Sequence, residues 1–111
     1  MIAALLLAAS AAPAPIAISE CAVLRTQSYE RGLAVIFRNT SAEPIVKVVF
    51  HVHNGAHAID VTDHGTFSPE TDIDHVLATP TWELHHGDAT TCTVASVTFA
   101  NGKTWEAPKH P

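Results

Sequence analysis

The sequence predicts an all-β protein, an antiparallel immunoglobulin-like β-sandwich of about seven strands. Three observations carry that prediction. Past the first dozen residues no stretch sustains the 3.6-residue apolar spacing of a helix, whereas apolar residues repeatedly fall on alternate positions. The alternating runs are short and rich in β-branched residues. Turn dipeptides or polar segments bearing Pro and Gly separate them at the intervals usual for sandwiches. A small closed β-barrel is the alternative architecture. With 111 residues the chain has room for one domain.

Residues 1–14 read as a signal peptide. Met1 to Ala12 is an uncharged apolar run, too short for the roughly 20 residues of a stable membrane span. Pro13 and Pro15 would end a helix built from it. Small-residue A-x-A sites follow at Ala9-Ser10-Ala11 and at Ala12-Pro13-Ala14. The expected location is secreted or periplasmic, with the sandwich domain over residues 15–106 and a fraying tail over 107–111.

Cys21 to Gln27 is the first expected strand and Leu33 to Arg38 the second; Asn39 to Pro44 forms a polar turn. Ile45 to His53 is the clearest strand. Its positions Val46, Val48, Phe50 and Val52 make an apolar face, while Lys47, His51 and His53 face water. Asn54-Gly55 supplies the positive-φ residues of a tight hairpin. Ile59 and Val61 share a face in a fourth strand, and Asp63 to Thr71, with Gly65 and Pro69, reads as a loop. Ile73 to Ala78 is the fifth strand, with Ile73, His75 and Leu77 on one side. Thr79 to Thr90 is irregular. In a sixth strand, Thr91 to Phe99, the apolar parity changes between Val94 and Val97, which predicts a bulge near Ala95 or Ser96. Asn101-Gly102 then turns the chain into a short last strand ending near Trp105.

The only cysteines are Cys21 and Cys92. An even pair in a small exported domain is most simply a disulfide, and neither has the C-x-x-C partner of a redox or zinc-ribbon site. Closing so long a loop would stabilise the fold by roughly 4 kcal/mol in the chain-entropy picture.

The series Asn39-Thr40-Ser41, Ile45-x-x-Val48-x-Phe50, Asp63-x-Gly65-x-Phe67-Ser68, Ile73-x-His75 and Cys92-x-Val94-x-x-Val97-x-Phe99-x-Asn101-Gly102-x-x-Trp105 resembles a group of small exported bacterial proteins. The resemblance implies an immunoglobulin-like sandwich without an established activity. A local stretch, Phe50-His51-Val52-His53 followed by Gly55, resembles the copper-ligand strand of Cu,Zn superoxide dismutase, which would make His51 and His53 copper ligands. His57, His64 and His75 do not follow that family's zinc-loop spacing, and no histidine lies between Thr91 and Glu106.

Charge is partitioned along the chain. The formal net charge is −5, and from Val48 to Gly102 there is no Lys or Arg. That stretch holds Asp60, Asp63, Glu70, Asp72, Asp74, Glu83 and Asp88 with seven of the eight histidines. An acidic chain without a basic cluster argues against a nucleic-acid partner or an anionic membrane surface. Imidazole with carboxylate suits zinc or copper(II), so His51, His53 and His57 are the candidate metal ligands. The plainer reading keeps the H-x-H pair as solvent-facing strand residues. His75, beside Ile73 and Leu77, reads as a partly buried structural histidine with a hydrogen-bond partner.

No catalytic pattern is assembled: the G-x-S-x-G, Walker, Rossmann, H-E-x-x-H and EF-hand spacings are all missing from the sequence. The expected function is therefore an exported, non-enzymatic β-sandwich module with a structural or protein-interaction role, and without a cofactor. The alternative is a periplasmic zinc- or copper-binding protein using the H-x-H strand and the acidic loop.

Overall fold

A computed structural model describes residues 13–25, 31–79, 84–85 and 87–108. Seven strands run in chain order: β1 (Ile16–Arg25), β2 (Arg31–Asn39), β3 (Ile45–Asn54), β4 (His57–Phe67), β5 (Asp72–Thr79), β6 (Thr90–Phe99) and β7 (Thr104–Glu106). They form two antiparallel sheets, one ordered β1-β2-β5 and the other β4-β3-β6-β7. Three strands packed on four, with β5 crossing to β2 and β6 to β3, is an immunoglobulin-like sandwich.

The alternation read from the sequence places one face of each strand in the space between the sheets. Leu33, Val35 and Phe37 of β2 point inward against Val48, Phe50 and Val52 of β3, all at most 1% exposed. At the centre the Phe37 ring meets Phe50 and Phe67 from the opposite sheet edge-on, with ring centres 5.2 and 5.3 Å apart. That geometry suits the aromatic quadrupole and adds to the area the rings remove from water. Leu84, in the β5–β6 connection, is 0% exposed and belongs to the same core.

Several expected boundaries shift, each for a local reason. The first strand begins at Ile16 rather than Cys21. A register irregularity between Ile18 and Glu20 puts Ile16 and Ile18 on the same inner face as Cys21 and Val23 despite their opposite parity. Gln27 lies outside the described residues. A second irregularity, between Ile45 and Lys47, turns Ile45 inward and takes Val46 out of the fully buried set. The bulge expected near Ala95 is present: Val49 pairs with Ser96 and Phe50 with Val94, which leaves Ala95 as the extra residue.

The largest correction concerns Asp63 to Thr71. Instead of a loop, β4 continues to Phe67, because Asp63 and Phe67 both reach the interior. Gly65 permits this: a Cβ there would lie 2.8 Å from the Phe67 ring. In the β3–β4 hairpin the loop residues are Gly55 and Ala56, and Gly55 alone has positive φ, +59°. Asn54 stays in the strand, 0% exposed. Its amide donates to the His85 carbonyl and Thr90 Oγ1, while its oxygen accepts the His85 N–H. Asn39 does the same at the other end, donating to the Glu43 and Phe67 carbonyls and accepting from the Ser41 N–H and hydroxyl. Both buried amides are fully paired, as burial demands.

Of the expected tail, Ala107 is held by an N–H bond to the Ala95 carbonyl, 2.9 Å, and 109–111 lie outside the described residues. So do residues 1–12 of the expected signal peptide. Among the described residues no helix is long and apolar enough to cross a membrane.

Candidate functional site

Cys21 on β1 and Cys92 on β6 form a disulfide with Cα atoms 6.1 Å apart, joining the two sheets covalently. Both side chains pack against the core. The bridge is therefore a staple through the sandwich rather than a surface clip.

Apart from His64, exposed on β4 opposite Lys47, the described histidines sort into three groups. On the outer face of the four-stranded sheet, His51 and His53 stand two residues apart on β3, so the pleat points them the same way. Their ring centres are 4.7 Å apart at an interplanar angle of 84°. The hairpin register sets Asp60 of β4 directly opposite His51. His51 Nδ1 lies 2.6 Å from Asp60 Oδ1. A carboxylate only accepts, so the proton of a neutral ring sits on Nδ1, leaving Nε2 with its lone pair. A groove of about 650 Å³ borders the pair, lined also by Thr93, Val94, Glu106 and Pro108.

His57, the third candidate ligand, stands at the start of β4, where its ring tilts against that of exposed His85 at 5.2 Å. His86 lies outside the described residues. Among the described residues no three His, Cys, Asp or Glu side chains are grouped to hold a metal ion.

The third group joins the sheets. His75 on β5 meets Asp63 on β4, Nδ1 to Oδ2 2.7 Å, and its ring packs edge-on against Phe67. The Asp63 side chain is only 5% exposed and that of His75 43%. His75 is thus half-exposed and hydrogen-bonded from one sheet to the other. Its partner Asp63 lies on β4 rather than in the loop that the sequence predicts there.

On the opposite sheet Arg38 forks between Asp72 and Glu70, at 3.1 and 3.0 Å. Its guanidinium pKa is raised, chiefly by the hydrogen bond to Asp72 and then by that to Glu70. The next row of this outer face holds Glu20, Ile36 and Asp74, and beyond it the face turns apolar. Ala22, Ala34 and Val76 form one row across its strands and Leu24, Gly32 and Ala78 the next. Val76 is 57% and Leu24 39% exposed. A second cavity, of about 380 Å³, lies between Pro13, Pro15, Phe99 and Trp105, with Glu43 and Lys103 at its rim.

These features define a disulfide-stapled immunoglobulin-like sandwich carrying an imidazole-carboxylate face. No protein-family model, no curated protein and no solved structure matches the chain.

Proposed function

We propose that this chain is an exported, non-enzymatic β-sandwich module whose role is structural or lies in contacts with other proteins. The observation that carries the reading is the Cys21–Cys92 bridge between the sheets. Buried protein disulfides form and persist in oxidising compartments, and they serve small domains whose cores are limited. The apolar leader-like run at 1–12 adds support from the sequence. The apolar outer face around Leu24 and Val76 favours a contact role, since such faces on sandwiches are ordinarily polar.

Expression of the full chain with cell fractionation tests the compartment. The expected product is extracytoplasmic, shortened at its N-terminus and oxidised at both cysteines; a full-length, reduced cytosolic product would refute export. Turnover of a substrate by the pure oxidised protein in a broad hydrolase and redox screen would refute the non-enzymatic half.

A further inference from the structure

We propose that His51 and His53 form a binding site for a divalent late transition-metal ion, copper(II) or zinc, with Asp60 as the residue that positions His51. This goes beyond the reading above and does not depend on it.

The ring spacing is the first argument. Imidazole nitrogens bind these ions at about 2.0–2.1 Å, so two rings sharing one ion at an angle near 90–110° have centres about 4.5–5 Å apart. The observed separation is 4.7 Å. The strand sets this spacing, since residues i and i+2 of β3 project from one face.

The second argument is the Asp60 carboxylate. Histidines that bind metals almost always give their other ring N–H to a carboxylate or carbonyl, which fixes the tautomer and raises the basicity of the ligating nitrogen. Asp60 Oδ1, 2.6 Å from His51 Nδ1, occupies that role, and the cross-strand register holds it there. With Nδ1 turned to Asp60, the ring of His51 leaves Nε2 as the nitrogen free to meet an ion, with no need to turn.

The third is access. The pair lies beside an open groove that also carries the carboxylate of Glu106. Protein supplies two donors and water completes the coordination. Two imidazoles without thiolate favour copper(II) over zinc in the usual affinity order. His57 has no part in the site, because it pairs with Asn54 and so falls on the opposite strand parity from His51 and His53.

The test is titration of the disulfide-bonded protein with copper(II) chloride and, separately, zinc chloride, followed by calorimetry and, for copper, by electron paramagnetic resonance. One ion per chain is expected, with hyperfine splitting from two imidazole nitrogens. His51→Ala or His53→Ala should abolish that stoichiometric event. Asp60→Asn should weaken it by about 10–100-fold, while His57→Ala leaves it unchanged. Absence of a one-to-one event, equal affinity in Asp60→Asn, or equal loss in His57→Ala would overturn the proposal. Should a variant fail to fold, the wild-type protein decides the matter alone. Substoichiometric copper(II) must broaden the ring resonances of His51 and His53 before those of His57 and His75, and the reverse order refutes the site.

Discussion

Asp63 on one sheet and His75 on the other are joined by a 2.7 Å hydrogen bond at the rim of the core. Among the described residues, the His75 imidazole is the ionisable partner of this carboxylate. His75→Ala strands a carboxylate that is 5% exposed, and its expected cost is about 2–3 kcal/mol. Asp63→Asn keeps a polar acceptor facing the ring and should cost less, about 1 kcal/mol. Urea unfolding of both single variants and the double variant measures the coupling; additive losses would show that the pair contributes nothing as a pair.

Removing the staple is a second test. Replacing Cys21 and Cys92 together by Ala should lower stability by about 2–5 kcal/mol, seen as a drop in the urea midpoint with a steeper slope, because the uncrosslinked chain exposes more surface on unfolding. Wild-type protein under reducing conditions should show a comparable loss.

Phe37 is 1% exposed and touches both Phe50 and Phe67 across the sandwich. Phe37→Ala leaves a cavity lined by two rings and should cost about 3–5 kcal/mol, whereas Phe37→Leu should cost clearly less. Thermal or urea unfolding ranks the two.

The β3–β4 turn supplies a more local prediction. At Gly55 the backbone has φ of +59° and a Cβ would lie 2.7 Å from Asp88 Oδ2, so Gly55→Ala should destabilise by about 1 kcal/mol or more. Asn54→Ala leaves the His85 N–H without its partner and the His85 carbonyl with the Asp88 N–H alone. Hydrogen exchange should rise first in the segment around His85 and Thr90, well before the core strands respond.

Arg38 should matter little. Its fork to Glu70 and Asp72 is solvent-exposed. The raised pKa means that the fork favours folding while the guanidinium is charged, an advantage lost only above its already very high folded value. Arg38→Ala should therefore leave the melting temperature nearly unchanged at every pH from 5 to 9. A pH-dependent loss in that range would refute a solvent-screened, weakly contributing fork.

Strand count, sheet class and the disulfide were legible because alternation and cysteine parity act over long stretches. Boundaries failed where one residue changes the phase. Ser19 and Val46 each sit at a register irregularity, and alternation counted through them puts Ile16 and Ile45 on the wrong face. The hairpin shows the same effect at the site. Taking Asn54 and Gly55 as the loop would set His51 opposite Ala58. With Gly55 and Ala56 as the loop, His51 faces Asp60. A slip of one residue at the turn therefore hid the pairing that orients the ring. Leu84 escaped notice for a different reason: it is a single apolar residue in a polar connection, and no periodic pattern announces it.

The link between residues 21 and 92 encloses five of the six strand-to-strand connections within one covalent ring. A single proteolytic nick anywhere inside that ring releases no fragment. The severed halves remain one molecule, separable on a gel only after reduction, and can re-form the same interior. A cut loop thus leaves the domain in one covalent piece.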